Sequence, residues 1–152
     1  MTSDRVTFTL NHLVGEINRS ADRILRERFG LTYSQFLFLV TLDSTGQVPS
    51  SVLAHELGVS RAAVSKRTSW FESRGLASSQ PSAVDYRVVE LSITAEGHRL
   101  AIQMGDTLEK QFRQRFVGLH GVDLDQLNRD LHALLSHFSE HSTTRRGEEV
   151  AA

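Results

Sequence analysis

Apolar residues recur at intervals of three and four near the start of the chain, at Leu10, Leu13, Val14, Ile17, Ala21, Ile24 and Leu25. That period predicts an amphipathic helix over residues 6–29 with a broad apolar stripe, stopping near Gly30. Thr32 or Ser34 can open a second helix, in which Tyr33, Phe36, Leu37 and Val40 share a face. Phe38 and Leu39 fall outside that stripe. A helix apolar nearly all round is either buried on several sides or lines a cavity, and Phe38 marks the cavity alternative to plain core.

Residues 50–75, SSVLAHELGVSRAAVSKRTSWFESRG, read as two helices joined by a tight turn. Ser50 or Ser51 can cap the first, which buries Leu53, Ala54 and Leu57. Gly58 ends it, because glycine accepts the left-handed backbone of a helix C-cap without steric cost. Val59 then plugs the corner, and Ser60 offers a hydroxyl to the free amides of the second helix, expected over residues 61–74. Ala54, Gly58 and Val64 carry the spacing of a DNA-reading helix-turn-helix: a small residue at the crossing, a turn glycine four later, a branched residue ten after the alanine.

The early part of that second helix holds Arg61, Ser65, Lys66 and Arg67, with Ala62 and Ala63 permitting close approach. Arginine and lysine grip guanine edges or phosphates, serine bonds either, and the helix N-terminus favours a phosphate through its unpaired amides. A solvated basic face is the competing explanation. Beyond Gly75-Leu76 a polar run at 77–80 leads into a loop marked by Pro81 and Ser82. From Arg87 the chain alternates, with Val89, Leu91 and Ile93 on one face, as a half-buried strand requires. Two strands and a loop after a reading helix make a winged helix-turn-helix.

Thr94 caps a long helix through Met104, Leu108, Phe112 and Phe116 that ends around residues 118–121, and Asp123 starts a last one striped by Leu124, Leu127, Leu131, Leu134, Leu135 and Phe138. These terminal helices carry more apolar surface than a small winged domain covers, so pairing with a second copy about a two-fold axis is expected. The tail from Ser142 is polar and predicted to be flexible.

Composition adds limits. At 152 residues, 39% hydrophobic and 23% charged, the chain suits one compact domain with its own core. The apolar run at 36–40 is far too short to cross a bilayer and no secretory signal is read, so a soluble, cytoplasmic protein is expected, with no membrane partner. Absence of cysteine excludes disulfides, thiolate metal sites and thiol oxidation switches. The net charge of −1 is unevenly divided. Residues 60–87 hold Arg61, Lys66, Arg67, Arg74 and Arg87 against Glu72 and Asp85, whereas residues 100–152 hold six basic and eight acidic side chains. Positive charge thus gathers in the proposed reading head.

Gly75-Leu76, Asp85, Arg87, Leu91, Thr94 and Gly97, with Leu31-Thr32-x-x-Gln35 upstream, stand at the spacing of MarR-type transcriptional regulators, and the chain resembles that family over nearly its whole length. The resemblance implies a mainly α fold with a small β-hairpin wing: a winged helix-turn-helix DNA-binding region at 31–98, flanked by dimerisation helices at 5–30 and 99–141, within a single domain over 1–152 with a flexible tail at 142–152. It implies a homodimeric regulator of double-stranded DNA, in such a family most often a ligand-responsive repressor on a pseudo-palindromic operator. Arg87 of the D-x-R element is then a DNA contact and Asp85 its anchor, unless the two form only a loop salt bridge. The chain departs from the family pattern at Ser78, Ser79 and Gln80, where cations are common. Arg67 and Thr68 stand where an apolar pair is common, and Trp70 where a polar residue is common.

DNA contacts are therefore expected at Ser60, Arg61, Ser65, Lys66, Arg67, Asp85 and Arg87. A small aromatic or phenolic ligand, implied by the resemblance, would meet His12, Phe36, Phe38, Trp70 and Phe8. Interface hydrogen bonding is the alternative for His12, and interhelix packing for Trp70. No nucleophile elbow, phosphate-cradling glycine loop or His-Glu-x-x-His motif is present, so an enzyme is not expected, nor a cofactor. His137 and His141 lie one helical turn apart, a spacing two ligands of one metal would need, but a solvated helix face is the simpler explanation and no metal site is expected. Two rival functions remain open, a winged-helix protein-interaction module and a metal-responsive regulator.

Overall fold

A computed structural model describes the backbone of residues 5–149 and side chains as far as residue 138. The chain divides into two compact units, residues 1–110 and 111–152. In chain order the elements are α1 (Val6–Phe29), α2 (Tyr33–Thr45), β1 (Val48–Pro49), α3 (Ser50–Glu56), α4 (Arg61–Glu72), β2 (Ala77–Pro81), β3 (Val89–Ile93), α5 (Ala95–Arg115) and α6 (Leu124–Glu149). The mainly helical winged fold expected from the sequence is the fold observed.

Helix α1 ends at Gly30, whose φ of 66° is left-handed and lets its own amide bond the Arg26 carbonyl at 3.1 Å and the Leu31 amide bond the Leu25 carbonyl at 3.4 Å. The Thr32-x-x-Gln35 motif is a capping box: Thr32 Oγ1 accepts from the Gln35 amide at 3.1 Å, and Gln35 Oε1 accepts from the Thr32 amide at 2.8 Å. Asp22 ties this corner to α1, accepting from the Tyr33 amide at 2.9 Å and from Arg26 Nε at 2.6 Å.

Burial on α2 departs from the expected stripe. Phe38, Leu39 and Leu42 are fully buried, whereas Leu37 and Val40 are exposed. Phe38 stacks on Phe71 of α4 with ring centroids 4.8 Å apart and planes 13° apart. It fills the core rather than lining a cleft, because α2 is covered on the face that meets α3, α4 and the sheet. That core joins Leu25, Leu53, Val64, Leu91 and Met104 from five elements.

The sheet is antiparallel in the order β1-β3-β2. Val48 pairs with Leu91 on one side of β3, while Ala77 pairs with Ile93 and Pro81 with Val89 on the other. Strand β1 is not foreseen in the sequence; two residues are too few to show alternation, and Pro49 is tolerated because β1 is an edge. Its extended backbone runs directly into α3, so Pro49 occupies the N-cap and no side chain caps that helix. The expected Ser50 or Ser51 cap is thereby corrected. Pro81 belongs to a strand rather than to the loop, and Val89 is exposed while Leu91 is buried and Ile93 half-buried.

In the first unit, two short motifs meet at one junction. Gly75 has φ 69°, and its carbonyl accepts a hydrogen bond from Thr94 Oγ1 at 2.6 Å. The Thr94 amide bonds the Leu76 carbonyl at 3.1 Å, and the same Oγ1 accepts from the Gly97 amide at 3.1 Å, which is the expected cap of α5. A Cβ on Gly97 would stand 2.0 Å from the Leu76 carbonyl oxygen, so only glycine fits.

In the second unit, Phe112 and Phe116 meet edge to face at 4.9 Å. Asp123 Oδ1 caps α6, accepting from the amides of Asp125 at 2.9 Å and Gln126 at 3.0 Å. Helix α6 continues to Glu149, past the Ser142 boundary at which a flexible tail is expected, through arginine and glutamate residues of good helix propensity. No helix among the described residues is long and apolar enough to cross a membrane.

Candidate nucleic-acid interface

The turn between α3 and α4 is built as its spacing requires. The Gly58 amide bonds the His55 carbonyl at 3.1 Å and the Val59 amide bonds the Ala54 carbonyl at 3.0 Å, the paired closure that a left-handed glycine permits. Ala54 and Val64 are buried where the helices cross. Ser60 Oγ accepts from the Ala63 amide at 3.1 Å, so α4 starts on a satisfied cap.

One face of α4 is anchored and the other presented. Val64, Thr68 and Phe71 point into the core. Thr68 stands where an apolar residue is common, and its hydroxyl is satisfied by the Val64 carbonyl at 2.9 Å, which permits its burial. On the opposite side Ser60, Arg61, Ser65 and Lys66 are exposed and Arg67 is half-buried. The helix thus offers cations and hydroxyls together with its positive N-terminal end. Trp70 meets Phe71 edge-on at 5.0 Å and carries the Arg74 guanidinium 3.6 Å above its ring. Trp70 is also half-buried against the hydrophobic core.

The wing loop spans residues 82–88. The Ser82 amide bonds the Val88 carbonyl at 2.8 Å, and the Val88 amide bonds the Asp85 carbonyl at 2.9 Å. Asp85 accepts from the Arg87 amide at 3.0 Å and from its guanidinium in a two-pronged pair, Nε to Oδ1 at 3.1 Å and Nη2 to Oδ2 at 3.2 Å. The hydrogen bond from the Arg87 side chain, aided by its amide, holds the Asp85 carboxyl below the ordinary carboxylate range. The D-x-R element is therefore a clamp that fixes the direction of Arg87. Val84 and Tyr86, which the sequence did not single out, are strongly exposed, at 97% and 81%.

The residues expected to meet a ligand are not gathered in one cleft. Phe36 is half-buried against Tyr33 with centroids 6.0 Å apart, Phe38 is core, and Phe8 is exposed on α1. His12 has 80% of its side chain exposed, 3.9 Å from Glu16. It borders a depression of about 310 Å³ with Asn11, Val14, Gly15, Asn18 and Arg19, all from α1. Among the described residues no group of three or more histidine, cysteine or carboxylate side chains could hold a metal ion. The side chain of His141 lies outside the described residues.

Comparison with known proteins converges on one architecture. The family model described as the MarR family matches residues 31–89. A Bacillus subtilis (strain 168) protein, "Uncharacterized HTH-type transcriptional regulator YhbI", is 28% identical over 127 residues, 82% of this chain and 80% of that protein. The solved structure of the Multiple Antibiotic Resistance Repressor, MarR, superposes with a TM-score of 0.78 at 17% identity, covering 86% of this chain and 95% of its own. The transcriptional repressor CouR, solved bound to a 23-mer DNA duplex, superposes at 0.70 with 23% identity, covering 93% of this chain and 94% of its own.

Proposed function

We propose that the chain is a MarR-type DNA-binding transcriptional regulator rather than an enzyme, acting as a homodimeric, ligand-responsive repressor of a pseudo-palindromic operator; the match of residues 31–89 to the MarR family model supports this reading. The observation that carries this reading is the presented face of α4: a capped N-terminus with Arg61, Ser65 and Lys66 exposed, on a helix whose opposite face is locked into the core. Lys66 and Arg67 read base edges, Ser65 supports them, and Ser60 and Arg61 hold a phosphate at the helix end. Arg87, steered by Asp85, meets the adjacent backbone or minor groove. That CouR was solved on DNA with this fold supports the assignment.

Residues 31–98 act as the reading region, and residues 5–30 and 99–141 pair with a second copy. Exposed Val6, Phe8 and Val14 on α1 and Leu134 on α6 support that pairing, since apolar side chains in such number are normally covered. A two-fold dimer sets its reading helices one DNA turn apart, roughly 34 Å, which calls for an inverted repeat. A small aromatic or phenolic ligand releases the operator if it binds better to a dimer whose helices no longer match that spacing.

Selection of bound fragments from genomic DNA, followed by titration of the best one at several salt concentrations, tests this reading. An inverted repeat bound by one dimer is the expected outcome. Lys66→Ala or Arg67→Ala should then weaken operator binding by about 1 to 3 kcal/mol. Arg87→Ala should weaken all sequences and lower the salt slope by about one. Undiminished binding by all three variants would sink the assignment.

A further inference from the structure

The wing carries little charge to offer DNA. Arg87 is the single basic side chain in residues 77–89, and its guanidinium is already paired on two prongs with Asp85. Strand β2 contributes Ser78, Ser79 and Gln80, and Ser79 is itself hydrogen-bonded to Glu72. A wing that bound DNA through phosphate neutralisation would need more cations than these.

The loop nevertheless has the build of a contact element. Its backbone is closed by the Ser82–Val88 bond, and Asp85 engages the Arg87 amide with its carboxylate and the Val88 amide with its carbonyl. The Val84 amide bonds Ser82 Oγ at 3.3 Å, fixing the other limb. From this pinned scaffold Val84 and Tyr86 project on either side of Asp85, almost entirely in water. Single exposed apolar residues need no explanation, but a valine and a tyrosine at the tip of a loop with so many internal bonds form a preordered apolar point. Tyrosine adds a hydroxyl at the far end of a flat ring and has few rotamers to lose on binding.

We propose that Tyr86, supported by Val84, is a second DNA contact of the wing beside Arg87, lying against the deoxyribose walls of the minor groove with its hydroxyl toward a phosphate. The inference rests on the regulator reading above and adds to it a second means by which the wing holds DNA. The minor groove is about 6 Å wide, room for a ring edge and unsuited to a bulky cluster. Because no charge is involved, this contact adds affinity at any salt concentration.

The test is titration of the selected operator fragment at several salt concentrations by the full-length wild type, Tyr86→Ala, Arg87→Ala and Lys66→Ala. Burial of an aromatic ring leads to an expected loss of about tenfold for Tyr86→Ala with the salt slope unchanged, whereas Arg87→Ala changes the slope. Hydroxyl-radical footprints of Tyr86→Ala should lose protection at the operator flanks and keep it at the centre. Tyr86→Ala binding within twofold of wild type with intact flank protection, while Lys66→Ala fails, overturns the tyrosine contact and leaves the regulator reading standing; the exposed tip then points to a protein partner. A change of slope in Tyr86→Ala also overturns it. Selection that enriches no fragment overturns both.

Discussion

Asp85 shows how a single carboxylate sets the geometry of a functional loop. Its two oxygens hold the Arg87 guanidinium and amide, and the charge-assisted bonds keep its carboxyl below the ordinary range. A depressed folded-state pKa contributes order that is fully present above the unfolded carboxylate value of about 4 and is lost as pH falls through the folded one. The Arg87 amide resonance should therefore stay at its native position down to pH values at which an ordinary aspartate is half protonated, and move only below them. An NMR titration in which Asp85 protonates at the ordinary value, with Arg87 unmoved, would dissociate the clamp from the loop's shape. At this scale the sequence was informative wherever one residue type has one use. Gly58 and Ser60 are such positions, the first through its left-handed backbone and the second through its cap. Val84 and Tyr86 were not legible, because exposure at a loop tip leaves no period or spacing to detect.

Elements were legible in proportion to their length and to the asymmetry of their faces. Helix α2 was placed but turned the wrong way, since the run Phe36-Leu37-Phe38-Leu39-Val40 is apolar on every side and period cannot choose among its faces. Packing chose Phe38 and Leu39, because Phe71 and the sheet lie on that side. Strand β1 escaped notice for want of residues. The Gly75-Leu76 and Thr94-x-x-Gly97 motifs were recognised as family spacing, and their cause is now apparent as a hydrogen-bonded weld between the end of the reading head and the start of α5. Gly97→Ala must move the Leu76 backbone and should destabilise the fold by about 1 to 3 kcal/mol or more. Thermal unfolding measures this directly, and a variant that melts with the wild type would mean that the weld is softer than the 2.0 Å approach implies.

At the scale of the molecule, each unit leaves apolar side chains uncovered, Val6, Phe8 and Val14 on α1 in the first and Leu134 on α6 in the second. Phe8→Glu on α1 and Leu134→Glu on α6, both at exposed positions, should each weaken self-association tenfold or more, by roughly the transfer energy of a buried side chain. Sedimentation velocity over a concentration series checks this, and unchanged dimer dissociation in both variants would discard these helices as the pairing surface. A different consequence follows from Trp70. It is the chain's single tryptophan, set near the end of α4 with a guanidinium against one face of its indole. Intrinsic fluorescence excited selectively at tryptophan therefore comes from one place, the helix held responsible for reading DNA. A shift of Arg74 off that ring, or of Phe71 beneath it, alters the emission, so the protein carries a built-in optical gauge of its own reading helix that needs no label.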